Sequence, residues 1–383
     1  MSRASTELPS RTHDAGRIHA LDGLRGVASL VVLVLHAAMM LELWGSDAPY
    51  ALIPGTPAVI LFFVLSGVVL SLAPLSRLHA REPYDWLAYY PRRVARLGIP
   101  LCAAVILGIV GGYVAWRLGS TGRSATAIAF DGGATRVVHD VLMQFDVLFN
   151  ISDDAQTLFG TPLTRVNSPI WSMCWEMWFS LTLPLAIACL ASTRHEALTA
   201  SALLAAIFIS HWCGYFPLRL CLTFWLGVLL ARHAREIARA RLAPAAELVT
   251  LALLLGIIEL AQANAAGLLG QSGALPSALL ATAMNAACVG LVALSMTDGV
   301  MRRALSMRPV RFLGTISFSL YLTHAVVIGG LDALLPRVGI TDPIVQATVG
   351  IVLSFGFAVV FWRLFEKPSI ELSRRLGESS RRP

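Results

Sequence analysis

The sequence predicts an all-α, polytopic membrane protein, with about ten transmembrane helices around a central cavity. Three observations lead there. Hydrophobic residues make up 56% of the 383 and charged residues only 14%, the balance of a chain embedded in lipid rather than of a large soluble core. Apolar runs recur along the chain, each long enough to cross roughly 30 Å of hydrocarbon. All but one of the 30 basic residues are arginine, and nearly all lie between those runs. In a soluble protein a net charge of +7 would suggest nucleic acid as partner. Here membrane topology and anionic headgroups account for it, and nucleic acid is not expected.

Residues 1–17 are polar and read as a cytoplasmic tail. The first span covers about 24–44. Its length argues for a retained helix rather than a signal peptide, despite Ser46-Asp47-Ala48 beyond it. The second span, about 57–75, contains Phe62-Phe63-Val64-Leu65-Ser66-Gly67, and the third covers about 98–116. The connection 117–167 is the longest hydrophilic one. Within it, Thr135 to Asn150 carries Val137, Val138, Val141, Leu142, Phe145 and Leu148 at helical spacing, the pattern of a helix on a surface or over a cavity mouth.

The fourth span, about 168–190, opens with Pro169, which suits a first helical turn. Trp171, Trp175 and Trp178 follow and suit a membrane–water boundary. Spans five (197–214) and six (218–231) flank a tight turn at Tyr215-Phe216-Pro217. Spans seven to ten cover about 246–263, 276–297, 314–335 and 343–365. One transmembrane domain, 18–370, is therefore expected, followed by a basic cytoplasmic tail, 371–383. Six scattered cysteines without metal-type spacing read as small core residues, although Cys213 and Cys221 flank one turn; no metal site is expected. With the N-terminus inside, inner segments hold 22 basic residues and outer segments six. That asymmetry predicts that both termini lie inside.

Arg25 and His36 stand inside the first span. Eleven positions apart, they share a helix face and are separated by about 16 Å along the axis. Ionisable groups at membrane depth normally face a protein interior or a wet cavity. Arg92, Arg93 and Arg96 lie at the inner end of the third span, Trp171, Ser172 and Glu176 at the outer end of the fourth, and Tyr321 and His324 midway along the ninth. An intramembrane set of His, Arg and Glu also suits a transporter or flippase. No internal repeat or matched pair of broken helices supports that alternative.

These residues occur in a pattern that resembles acyltransferase family 3, membrane proteins that acylate bacterial surface polysaccharides. The matching positions are Leu21-Asp22-Gly23-Leu24-Arg25-Gly26 with His36, Phe62-Phe63 with Ser66-Gly67, Arg92-Arg93 with Arg96, and Trp171-Ser172 with Glu176. Ser319-Leu320-Tyr321-Leu322 with His324, and Glu366 with Pro368, complete the set. Met173 and Val68 depart from the family's usual residues. Some members carry a fused hydrolase-like domain, which is not expected here.

The resemblance implies an O-acyltransferase of the bacterial inner membrane. It would move an acyl group, acetyl foremost, from cytoplasmic acyl-CoA, a co-substrate rather than a resident cofactor, to a hydroxyl of a carbohydrate or glycolipid acceptor. On that view His36 is the general base, since neutral histidine is the usual one near pH 7. Arg92, Arg93 and Arg96 bind donor phosphate. Arg25 contacts phosphate or the developing thioester oxyanion, and its distance from His36 favours phosphate. Glu176 either orients a histidine or the acceptor hydroxyl, or pairs with a local donor. Ser66, Trp171, Ser172, Tyr321 and His324 line the substrate site, Ser66 mainly by permitting close helix approach. Asp22 and Glu366 are expected to pair with arginines.

Overall fold

A computed structural model describes residues 18–40, 52–120, 123–148, 165–214, 216–270 and 273–379. Among these there is no strand. Ten long helices follow one another in the expected order: α1 (His19–Met40), α2 (Gly55–His79), α3 (Trp86–Arg117), α4 (Trp171–Leu190) and α5 (Glu196–Trp212), then α6 (Phe216–Arg232), α7 (Pro244–Ala265), α8 (Ala274–Met296), α9 (Arg308–Leu334) and α10 (Pro343–Phe361). Eight of the described helices are long and apolar enough to cross a membrane. α5 and α6, of 17 residues each, rise about 26 Å. The described part of the amphipathic stretch forms a helix, Ala134–Gln144, with Val138 and Leu142 exposed on one side. Residues 41–51, which include the end of the expected first span, lie outside the described residues, as do 149–164.

α3 starts at Trp86 rather than at 98. The Asp85 carboxylate caps it, accepting the Ala88 N–H at 2.9 Å. The three arginines therefore ride on the same rigid helix as the apolar span. α9 likewise starts early, at Arg308, with Pro309 in its first turn.

The beginning of α4 departs from expectation. It was placed at the outer boundary, but it abuts the middle of α9. Asn167 Nδ2 donates to the Leu322 carbonyl at 2.7 Å, and the Tyr321 hydroxyl donates to the Pro169 carbonyl at 2.6 Å. Those polar bonds hold the chain there, and Trp171 and Trp175 pack on the main hydrophobic core.

The chain end departs as well. After α10 comes a π-helical turn, Trp362–Glu366, and then α11 (Lys367–Ser379), which lies along α3. Ser369 and Gly377 are buried on that side, with Ile370 and Leu376 partly so. Residues 371–379 are thus part of the folded unit rather than a tail; 380–383 lie outside the described residues.

Glycine sets the helix spacing. α1 packs most extensively on α9, and α2 on α6. A Cβ on Gly314 would sit 2.2 Å from the Asp22 carbonyl oxygen, and one on Gly26 2.6 Å from the Gly314 nitrogen. Gly67 and Gly227 allow the same approach between α2 and α6. In lipid, where apolar burial gives little driving force, backbone contact of this kind supplies packing attraction. Phe63, Phe179 and Phe224 then stack through the centre, with ring centroids 5.2 and 5.4 Å apart. All six cysteines are thiols. Cys174 and Cys288 are buried as expected of core residues, but Cys189 of α4 and Cys213, just past the end of α5, are exposed.

The ends of α5 and α6 meet in a charged cluster. Glu196 pairs with Arg232 at 2.7 Å and accepts from His233 Nε2, while His233 Nδ1 meets Glu236 at 2.9 Å. Glu236 first, and then Glu196, hold the His233 pKa above its ordinary value of 6.5 despite partial burial. A raised folded pKa means that the stabilisation is fully present below the unfolded value and fades as pH rises through the folded one. The gap in melting temperature between the native chain and His233→Ala in detergent should therefore be widest below pH 6.5 and close once pH passes the raised value. A gap that widens with pH would contradict the cluster.

Candidate active site

A cavity of about 380 Å³ opens among α1, α2, α3, α4, α9, α11 and the π-helical turn. On α2 its wall runs from Val59 to Leu70, about 16 Å of helix rise. The cavity is thus elongated and polarised. Asp22, Arg25, Arg96, Lys367, Glu371 and Arg374 surround one end. Phe62, Met173, Ser172 and Tyr321 close the other. Phe63, Val69, Leu70, Leu97 and Phe318 form apolar walls between them.

Arg93, Arg96 and Leu97 share one face of α3 and line the cavity. Arg92 does not line it, which corrects its expected grouping with the other two. One residue's rotation carries it to the next face. There its Nε donates to the Ala88 carbonyl at 2.7 Å, and its side chain rests against Gly377 of α11. Trp171 is also absent from the cavity wall, being turned into the core instead.

Arg93 makes the central ion pair with Glu176 of α4, and its Nε donates to Ser180 Oγ at 2.7 Å. Ser66 of α2 donates to the same Glu176 oxygen at 2.9 Å. Both side chains of the pair are 10% exposed. Of the two expectations for Glu176, the structure shows the local pair: its partners are Arg93 and Ser66, not a histidine. Ser66 is a hydrogen-bond donor to that pair, and the close-approach role belongs to its neighbour Gly67. Arg25 lies 3.7 Å from Asp22. Glu366 accepts from Ser319 Oγ at 2.5 Å and from the Ser319 N–H at 3.2 Å, with Arg96 and Arg25 acting on its charge. In a low-dielectric site an unpaired charge is costly, and these carboxylates keep three arginines charged inside the helix bundle.

His36 and His324 stand behind the aromatic end, outside the cavity wall. This departs from the expectation that His324 lines the substrate site, and it sets His36, the expected base, back from the wall. Tyr321 separates them from the cavity: its ring is 5.5 Å from Phe62 on one side and 6.0 Å from His324 on the other. The two histidine rings are 4.9 Å apart.

Their hydrogen bonds fix the tautomers. The His324 Nδ1 meets the Leu320 carbonyl at 3.0 Å, and the His36 Nδ1 meets the Val32 carbonyl at 2.8 Å. A carbonyl only accepts, so each Nδ1 carries the proton. His36 Nδ1–H is then shared in a three-centre bond between the Val32 carbonyl and His324 Nε2, 3.2 Å away. In the neutral ring His36 Nε2 keeps its lone pair, as a proton acceptor requires.

The Ser172 and Tyr321 hydroxyls lie 2.8 Å apart where the cavity meets this pair. Since Tyr321 donates to Pro169, Ser172 donates to Tyr321. Two hydroxyls thus lie between the cavity and the histidines.

Sequence reasoning did not include Ser180, Lys367, Glu371 or Arg374 in the site. A signal existed for the last three. They repeat at positions i, i+4 and i+7, one face of any helix, but in a stretch whose charge reads as a solvated tail. Among the described residues no group of three His, Cys, Asp or Glu side chains is arranged to hold a metal ion.

Removing one partner of a buried pair leaves an uncompensated charge and typically costs about 3–5 kcal/mol. Glu176→Ala should lower stability in detergent by that order, and Arg93→Met combined with Glu176→Ala should recover most of it. Denaturant unfolding of both variants checks this. Equal loss in the single and double variants would mean that the pair is not what couples α3 to α4.

The comparisons bear on the whole of this architecture. A model for an acyltransferase domain, that of acyltransferase family 3, matches residues 18–363. No curated protein and no solved structure matches the chain. The matched stretch contains all ten long helices, both histidines and the Arg93–Glu176 pair. The chain belongs to acyltransferase family 3, and it is an integral membrane acyltransferase.

Proposed function

We propose that the protein transfers an acyl group, acetyl foremost, from acyl-CoA on the cytoplasmic side to a hydroxyl of a carbohydrate or glycolipid acceptor, in a bacterial inner membrane with both termini inside. The observation that carries this reading is the polarised cavity: arginines at one end and, past an apolar passage, hydroxyls and a histidine pair at the other. Arginine matches phosphate geometry with paired N–H donors, so the donor's phosphates sit near Arg25 and Arg96. The apolar walls suit the slender arm that carries the thioester, which reaches toward Ser172 and Tyr321. The distribution of basic residues supports the same polarity, because the arginine end belongs to the side richer in positive charge.

The chemistry follows from the tautomers. The acceptor hydroxyl gives its proton to His36 Nε2 as its oxygen bonds to the acyl carbon. The tetrahedral oxyanion takes a hydrogen bond from Ser172, whose hydroxyl turns to it from Tyr321 while Tyr321 stays bonded to the Pro169 carbonyl. The carbon–sulfur bond then breaks, and the proton passes from His36 to the departing thiolate. His324 positions the His36 ring, because its Nε2 holds His36 Nδ1–H. Phe62 and Tyr321 stand between donor and base, so productive binding moves the Phe62 ring aside. This keeps the thioester from the base, and from water, until the acyl end has arrived. Family membership favours transfer over transport.

His36→Gln keeps volume and hydrogen bonding but cannot take a proton. Turnover of acetyl-CoA should fall by about 10²–10⁴-fold while donor binding stays. Arg96→Ala should weaken donor binding, whereas Arg92→Ala, whose side chain faces α11, should leave it near native. Full turnover by His36→Gln would end the base assignment, and an Arg92→Ala defect as large as that of Arg96→Ala would end the division between the two arginines.

A further inference from the structure

We propose that α11 is a wall of the donor site and that Arg374 binds the phosphate-bearing end of the donor. The inference rests on the acyl-CoA reading above and assigns a role to a helix beyond the family match, which ends at residue 363. Lys367, Ile370, Glu371 and Arg374 all line the cavity. They fall at i, i+3, i+4 and i+7, so one face of α11 is turned to the interior of the site. Lys367, Glu371 and Arg374 on that face are exposed and Ile370 is partly buried, so the face borders the open mouth of the cavity. Leu372 and Arg375, off that face, do not line the cavity.

The helix is held where it is. Ser369 Oγ donates to the Glu366 carbonyl at 2.8 Å and approaches the Arg96 carbonyl at 3.5 Å. Gly377 packs closely on α3, since a Cβ there would lie 2.8 Å from Arg92 Cδ. Arg92, which does not face the cavity, fills the space beside Gly377.

Charge in the cavity points the same way. Arg93 is committed to Glu176 and Arg25 adjoins Asp22, while Glu366 sits under Arg96 and Arg25. Arg374 is exposed at the mouth. It can engage a polyanion there without first losing its water, and the bidentate guanidinium geometry suits phosphate. The nucleotide end of coenzyme A carries three phosphates, more negative charge than the interior arginines, already paired with carboxylates, leave uncompensated.

The experiment measures binding to the full chain in detergent, using two probes: acetyl-CoA, and acetyl-pantetheine, which has the same thioester arm and no phosphate. Arg374→Gln should weaken acetyl-CoA binding about tenfold, the worth of one charged hydrogen bond, and leave acetyl-pantetheine unchanged. Arg374→Lys should restore part of the loss. Arg375→Gln, one position around the helix, should bind both probes as the native chain does. Native affinity in Arg374→Gln overturns the proposal. So does an equal loss in Arg375→Gln, which would reduce the effect to overall tail charge, or an equal loss for both probes, which would mark a shifted helix. If the native chain binds acetyl-CoA no better than acetyl-pantetheine, the donor reading itself fails and Arg374 falls with it.

Discussion

Contact between the backbones of α1 and α9 is the constraint on which the rest depends. Gly26 and Gly314 bring the two helices together with no side chain between them. That contact fixes depth as well as distance. It sets Arg25 beside the cavity and, three turns on, His36 beside His324. A side chain at either glycine would push the helices apart and would break the bond between the two rings, which at 3.2 Å tolerates little displacement. The histidine pair is therefore a product of helix packing more than of any local sequence around either residue.

A second constraint is electrostatic. A bundle that keeps several arginines within a low-dielectric interior must supply carboxylates at matched positions. It does so from three different helices and a π-helical turn: Asp22, Glu176, Glu366 and Glu371 line the same cavity as Arg25, Arg93, Arg96, Lys367 and Arg374. The compensation is incomplete by one charge, and the excess is positive. A site built this way is stable when empty and still attracts an anion. Ser66, Ser180 and Ser319 take up carboxylate or guanidinium hydrogen-bonding capacity left by the ion pairs. They keep the charged groups oriented without adding charge of their own.

Much of this was legible in the residues. All ten helices were, because an apolar run of membrane length has few other uses. Arg25, Arg93, Arg96, Ser66, Ser172, Glu176 and Tyr321 do meet at one cavity, though only the family resemblance grouped them. What hydropathy misses is polar backbone and side chains that face protein instead of lipid. It therefore set α3 to begin at 98, because Arg92, Arg93 and Arg96 look like loop residues until their partners are known. It set the start of α4 at the surface, because the bonds from Asn167 to Leu322 and from Tyr321 to Pro169 join residues more than 150 positions apart. It treated Arg92 and Arg93 alike, although about 100° around the helix axis separates them. And it read 371–383 as a tail, since nothing local says that a charged helix has a cavity to face.

The π-helical turn at Trp362–Glu366 gives the chain end a fixed phase. A π turn amounts to one residue more than an α-helix would use over the same length. Removing a single residue from it would leave α10 where it is and rewind everything after it by about 100°. Glu366 would leave Ser319, and the Lys367–Arg374 face would rotate away from the cavity while every residue in α11 kept its identity. The information carried by this segment is thus partly a count. Insertions and deletions here are graver than substitutions, and grafting α11 onto a related bundle would succeed or fail on the length of the joint before any question of which side chains it bears.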